Sequence, residues 1–197
     1  MRKAEKILGG LIIVLMISRL IFTYPFSSIL ISLSCILLSL LYLFFGFAVL
    51  NNIRFRDILK KESYKGISAL RILLTFFTGL ILSMLIIYML FKFQRWPYGQ
   101  YGLMISLILL AFIGLIVLVK YFISKNKFYS NYLIRLLTFG IYGLLLFFIS
   151  SENLLELKYK NFPDYIEAEK KLMKDPQNRQ LQIRANKERQ KMDLSKD

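Results

Sequence analysis

The chain of 197 residues contains no histidine and only one cysteine, Cys35. These absences exclude histidine-ligated zinc or haem sites, cysteine–histidine nucleophilic pairs and internal disulfides. Cys35 itself lies inside an apolar run, where a small buried side chain is expected. We therefore predict no catalytic residue, no cofactor and no metal site, and a protein that is not an enzyme.

Acidic residues are scarce over the first three quarters of the chain. Residues 1–150 carry 16 Lys or Arg but only Glu5, Asp57 and Glu62, whereas the remainder carries 11 basic and 9 acidic residues. Because none of those three carboxylates lies inside an apolar run, the sequence argues against a proton-driven pump that needs a titrating carboxylate within the membrane. The basic excess falls between apolar runs, which indicates topology signals and contacts to anionic lipid headgroups rather than nucleic-acid binding.

The hydrophobic residues, which make up 56% of the chain, are gathered into long runs. A helix needs about 20 apolar residues to cross a hydrocarbon layer of about 30 Å. Five segments approach or exceed this length, at about 7–23, 26–50, 68–91, 102–124 and 132–150. The sequence therefore predicts an all-α, polytopic membrane bundle of about five transmembrane helices over residues 1–150, followed by an extramembrane helical tail over residues 151–197.

The distribution of basic residues predicts how these segments are oriented. Clusters of Lys and Arg precede the first segment, fill the connection between the second and third, and surround the end of the fourth. Short loops rich in positive charge stay on the cytoplasmic side, and all three clusters do so if the amino terminus is cytoplasmic. Five crossings then put the tail in the periplasm of a Gram-negative cell. We expect the chain in the inner (cytoplasmic) membrane.

The hydrophilic tail is predicted to begin irregularly around Asn161 and to continue as two helices, at about 163–174 and 177–192. Pro163 and Pro176 suit the first turns of such helices. The tail has too few large apolar residues for a stable core of its own. We therefore expect it either to dock on another surface, such as a membrane or envelope protein partner, or to fray.

Two cations stand at the ends of apolar segments, Arg19 in the first and Lys92 just after the third. In the predicted topology both lie near the outer surface of the membrane. One interpretation is that their long side chains extend to the headgroup level, as Lys and Arg at helix ends commonly do. The alternative is that they form a site for an anion or a lipid headgroup.

Small residues recur at helical spacing on the second segment (Ser28, Ser32, Cys35, Ser39 and Gly46) and on the third (Thr75, Gly79 and Ser83). Within a membrane, small residues let helix backbones approach closely. We predict that these stripes pack the helices of the bundle together. The alternative is that their hydroxyl groups line a polar pathway.

The most distinctive local sequence is Trp96-Pro97-Tyr98-Gly99, between the third and fourth segments. Pro97 has no amide donor and disfavours helix at Trp96, while Gly99 permits a sharp reversal. The string therefore predicts a tight aromatic turn at the headgroup level. The sequence Tyr-Pro-Phe-Ser at 24–27 aligns with it and suggests that the first two helical hairpins are repeats. Independent use of proline and aromatic residues at an interface is the alternative.

This turn resembles one in the GldL-like family, motor subunits of bacterial gliding motility and type IX secretion, in which Phe-Lys and then Trp-Pro-Gly join two membrane helices. Phe91, Lys92, Trp96 and Pro97 match that pattern, although one residue intervenes before the glycine. The family's motor function depends on a carboxylate in the helix after the turn, and residues 103–119 contain none. The chain as a whole is more similar to small multi-pass inner-membrane proteins of the Bacteroidota type, so the resemblance implies an envelope setting rather than an activity.

Together these patterns predict a non-enzymatic integral membrane protein with a structural or accessory role in an envelope assembly. A small membrane transporter or channel is the alternative. The candidate functional residues are Arg19, Lys92, Trp96 and Pro97, as hairpin-turn and headgroup contacts. The expected partners are membrane lipids, including anionic headgroups, and a membrane or envelope protein bound through the tail.

Overall fold

The computed structural model describes residues 1–22 and 26–194, and all regular structure within them is helical, with no strand. The α-helices are α1 (Arg2–Ile21), α2 (Ser27–Leu50), α3 (Ala69–Gln94), α4 (Gly99–Ser124), α5 (Lys127–Phe148), α6 (Ser151–Tyr159), α7 (Pro163–Lys174) and α8 (Arg179–Leu194). Two short 3₁₀ turns, Phe55–Asp57 and Lys61–Tyr64, lie between α2 and α3. The prediction of an all-α bundle is confirmed.

Within the described residues, the four helices α2 to α5 are long and apolar enough to cross a membrane. The chain is therefore a membrane protein with several spanning helices. Helix α1 has 20 residues, but it carries Glu5, Lys6 and Arg19 and is more polar than the other four. All five predicted segments are thus helical, and four of them meet the requirement for a membrane span.

The five long helices alternate in direction, as short connections between them require. Along α2 and α3 the contacts run in opposite order, since Ser39 pairs with Ser83 and the earlier Gly79 meets the later Gly46. Helices α3 and α5 run parallel, with the Tyr132 hydroxyl 2.5 Å from Thr78 Oγ1. The ends of α1, α3 and α5 consequently lie together at one end of the bundle, called here the tail end.

Small residues join α2 and α3 in the middle of their interface, as the sequence predicts. A Cβ atom on Gly46 would lie 2.5 Å from Gly79 Cα, a distance that no side chain could occupy. Further along the same interface, Ser39 Oγ lies 2.8 Å from Ser83 Oγ, so these hydroxyls satisfy each other. The packing role is confirmed for these four residues. Ser28 is exposed and stands outside this interface.

The tail folds back on the bundle and forms a small cluster of its own. Helices α7 and α8 pack together as the predicted pair, and Leu155, Tyr165 and Met192 are buried between the tail helices. The irregular stretch predicted around Asn161 is a turn between α6 and α7, but α6 itself was not predicted; it begins at Ser151, where Asn153 N donates a 3.0 Å hydrogen bond to Ser150 Oγ. Helix α6 packs on α1, so the tail docks on its own chain.

Candidate functional site

A long groove separates α1 from α5. Its volume is about 660 Å³, and its floor is formed by Cys35 and Leu38 of α2 and by Ile86, Met89 and Phe93 of α3. The walls are almost entirely apolar, with Gly9, Gly10, Ile13, Met16 and Ile17 on α1 and Ile134, Thr138, Tyr142 and Leu145 on α5. The groove exists because α1 packs on α2 and α6, while α5 packs on α3 and α4.

A buried polar network closes the groove at the end that holds the amino terminus. Glu5 Oε2 lies 3.2 Å from Arg135 Nη2, and the Tyr42 hydroxyl donates a 2.5 Å hydrogen bond to Glu5 Oε1. Arg135 Nη1 also donates to Val49 O at 3.0 Å. Glu5 is only 7% exposed, and a buried carboxylate is stable only with such partners. The ion pair between Glu5 and Arg135 therefore links α1 directly to α5.

This network was not predicted from the sequence. We assigned Glu5 to the segment before the first apolar run, whereas α1 begins at Arg2 and carries Glu5 into the bundle. The statement that no carboxylate lies within the five apolar segments still holds, but the sequence did not indicate that Glu5 would be buried against α2 and α5. Arg135 could have indicated this network, because a cation inside an otherwise apolar segment needs an opposite charge nearby.

Three cations, Arg19, Arg95 and Lys158, lie next to the residues that line the tail end of the groove, and we call them the cationic cap. Arg19 follows the turn of α1 that lines the groove, and it is 5% exposed with its guanidinium 5.4 Å from the centre of the Tyr159 ring. Its Nε and Nη1 atoms are buried without a hydrogen-bond partner. The charge of Arg19 is thus unpaired in the described part of the chain.

Lys158 approaches the groove from α6. Its Nζ atom donates to Phe93 O at 3.0 Å and lies 4.7 Å from the centre of the Phe93 ring, which is part of the groove floor. Burial, and then the charges of Arg19 and Arg95, lower the pKa of the Lys158 ammonium to about 7. A lysine in such a position marks a region of uncompensated positive potential.

We expect the stability of the protein to rise with pH above about 7 because of Lys158. Its pKa is about 7 in the folded protein and 10.5 ordinarily, so the unfolded chain binds more protons between these values. Thermal unfolding in detergent at pH 7 and pH 9 tests this. The midpoint should rise by about 4–8 °C more in the wild type than in Lys158→Met, because these pKa values correspond to roughly 2 kcal/mol between pH 7 and pH 9. Equal shifts in the two proteins would contradict the assignment.

The two cations selected from the sequence, Arg19 and Lys92, are both buried rather than extended to the surface, which corrects the first interpretation of them. They contact different ends of α6, since Lys92 Nζ lies 3.4 Å from Ser151 Oγ while Arg19 lies against Tyr159. Eight residues of helix separate these contacts by about 12 Å. Arg19 therefore belongs to the cationic cap with Arg95 and Lys158, and Lys92 does not.

The turn between α3 and α4 is tight and aromatic, as predicted. The Trp96 ring packs edge-on against Phe91 with centroids 5.0 Å apart, while Pro97 is exposed. The left-handed backbone positions are Arg95 (φ 61°) and Tyr98 (φ 60°), not Gly99. The reason for Gly99 is therefore a close approach of helices rather than a reversal of the chain.

The described part of the first hairpin turn has the same backbone shape as the second. Phe26 has φ 58° and ψ 2° and precedes α2, and Tyr98 has φ 60° and ψ 2° and precedes α4. Each residue follows a proline in the sequence. Tyr24 and Pro25 lie outside the described residues, so the proposed repeat is supported on this side of the turn alone.

No group of three or more Cys, Asp or Glu residues in the described ranges could hold a metal ion. No protein-family model, curated protein or solved structure matches the chain. The resemblance of the turn to the GldL-like family accordingly stays a prediction. The groove, its closed charged end and its cationic cap are what the chain itself offers as a functional site.

Proposed function

We propose that this chain is a non-enzymatic integral membrane protein that holds the hydrocarbon chain of a membrane lipid in the groove between α1 and α5. The observation that supports the proposal is the groove itself, about 660 Å³ in volume and lined almost wholly by apolar side chains. That volume falls within the roughly 300–1,000 Å³ typical of small-ligand sites.

The size and position of the groove favour a lipid chain over a protein helix. A spanning helix about 30 Å long and 10 Å wide occupies on the order of 2,000 Å³, which is far more than the groove contains. The walls are open to the surroundings, because Ile17, Ile134 and Leu145 line the groove and are each more than half exposed. If these helices span the bilayer, lipid chains are the molecules that surround the opening.

A bound lipid is compatible with a structural or accessory role in an envelope assembly, which we retain as the wider proposal. Helix α6 packs on α1 and so holds the tail on the bundle. Helices α7 and α8 present an exposed polar surface for a protein partner. The placement in the inner membrane, with a cytoplasmic amino terminus, rests on the positions of the basic residues. The buried, mutually bonded Ser39 and Ser83 favour this role over a transporter.

Filling the groove should reduce the lipid that the protein retains. Gly10 lines the groove with open space beyond its Cα, so Gly10→Phe puts a phenyl ring into the volume that a lipid chain would occupy. We expect retained lipid to fall at least about twofold, since such a ring covers roughly 150–250 Å² of surface. The measurement is lipid per protein, by mass spectrometry after purification in a mild detergent.

Gly114→Phe is the matched control. Gly114 also has open space beyond its Cα, but it lies on α4, which does not line the groove. This variant should retain as much lipid as the wild type. Equal retention by the wild type and Gly10→Phe, with both proteins folded, would contradict the proposed function.

A further inference from the structure

We propose that the cationic cap binds the anionic headgroup of the lipid whose chain lies in the groove, with Arg19 and Lys158 as the phosphate ligands. This inference rests on the proposed function and specifies its ligand class, a phospholipid with net negative charge. All phospholipids of this class have a phosphodiester at one end of their hydrocarbon chains. The groove and the cap lie end to end and match those two parts.

The state of Arg19 is the first observation behind this assignment. A guanidinium 95% buried normally has a carboxylate or carbonyl partner, because an unpaired buried charge is strongly disfavoured. Arg19 instead has two buried nitrogen atoms without any acceptor. Its remaining described contact is the face of the Tyr159 ring. An anion with two acceptor oxygens would satisfy the unbonded donors of this side chain.

The balance of charge in the cap is the second observation. Glu169 is the carboxylate nearest the cap, and it is already engaged, 3.6 Å from Arg95 Nη2 and hydrogen-bonded by the Tyr165 hydroxyl at 2.8 Å. Arg19 and Lys158 have no carboxylate partner among the described residues. Burial is the main cause of the lowered pKa of Lys158, and the positive charges of Arg19 and Arg95, which have no counter-ion at Lys158, lower it further. A phosphate would compensate this positive charge.

The position of the cap relative to the groove is the third observation. Leu20, Phe93 and Ile149 line the last part of the groove, and Arg19 directly precedes the first of these. The Lys158 ammonium lies 4.7 Å from the centre of the Phe93 ring. A lipid chain that reaches this end therefore brings its headgroup next to Leu20 and Phe93, the groove residues that adjoin Arg19 and Lys158. A zwitterionic headgroup would bring a further cation into the same region.

The test is a competition between two lipids with the same chains. The purified full-length protein is equilibrated in mixed micelles with equal amounts of dioleoyl phosphatidylglycerol and dioleoyl phosphatidylcholine, and both retained lipids are quantified. We expect an enrichment of phosphatidylglycerol of about tenfold, as one added charge-assisted hydrogen bond would give. Arg19→Gln and Lys158→Gln should each bring the ratio toward one, while the total lipid retained changes little.

Arg56→Gln is the matched control, because Arg56 is an exposed cation in the loop between α2 and α3, away from the tail end. It should keep the enrichment, and Arg19→Lys should keep part of it. Equal retention of both lipids by the wild type, or the same loss in Arg56→Gln as in Arg19→Gln, would overturn the headgroup site and leave the groove intact. Wild-type protein that retains neither lipid would overturn the proposed function itself. Displacement by excess inorganic phosphate alone would assign the cap to a free anion and also overturn the inference.

Discussion

Replacing Arg135 with glutamine is expected to lower the free energy of unfolding by about 3–5 kcal/mol, the largest effect we expect from any single substitution. The change removes a guanidinium 3.2 Å from Glu5 and leaves a carboxylate that is 7% exposed, with the Tyr42 hydroxyl as its one remaining partner among the described residues. Breaking one half of a buried ion pair costs this much because the other charge stays buried. Denaturant unfolding in a fixed detergent measures it.

The double substitution Glu5→Gln with Arg135→Gln separates a broken pair from a simple loss of packing. Two neutral amides can bond to each other, so the double variant should be more stable than Arg135→Gln alone. A double-mutant cycle with a coupling below about 0.5 kcal/mol would show that the two side chains act independently. In that case the ion pair would not be what holds α1 to α5.

Gly99→Val should produce the second largest loss, about 1–3 kcal/mol or more. A Cβ atom at this position would lie 2.6 Å from Lys92 N, 2.8 Å from Phe91 C and 2.9 Å from Lys92 Cα. All three are backbone atoms of α3 and cannot rotate aside, so the start of α4 must move away from α3. Thermal unfolding in detergent, monitored by circular dichroism, should show a lower midpoint for this variant.

Tyr98→Gly tests the same turn in the opposite sense. The backbone of Tyr98 has a left-handed conformation, which costs about 1 kcal/mol or more for a residue other than glycine. The Tyr98 side chain is largely exposed, so its replacement by glycine relieves this cost and removes few contacts. We expect stability equal to the wild type or slightly higher. If Gly99→Val is tolerated as well as Tyr98→Gly, the close approach of α4 to α3 does not stabilise the hairpin.

The parts of the fold that the sequence predicted are those determined by local patterns. Apolar runs marked the long helices, and small residues at helical spacing marked the α2–α3 contact that Gly46 and Gly79 make. The tight turn was predicted from Trp96 and Pro97, since proline fixes its own φ angle and disfavours helix at the residue before it. Each of these signals lies within a few turns of chain.

The parts that were missed depend on residues far apart in sequence. Nothing near Glu5 indicates that its partner is Arg135, and nothing near Arg19 indicates that Lys158 will lie beside it. The helix α6 was missed although Ser150 and the acidic first turn are ordinary start signals, because nine residues contain too little periodicity for recognition. Long-range pairing of charges requires the packed structure.

The contacts of α1 also bear on the order in which the protein can be completed during synthesis. Helix α1 leaves the ribosome long before two of its contacts can form, since Glu5 pairs with Arg135 and Arg19 lies against Tyr159. Chains are made from the amino terminus, so α1 spends most of translation without either contact. Helix α1 can therefore pack on α2 early, but its contacts with α5 and α6 form only after those helices have been made.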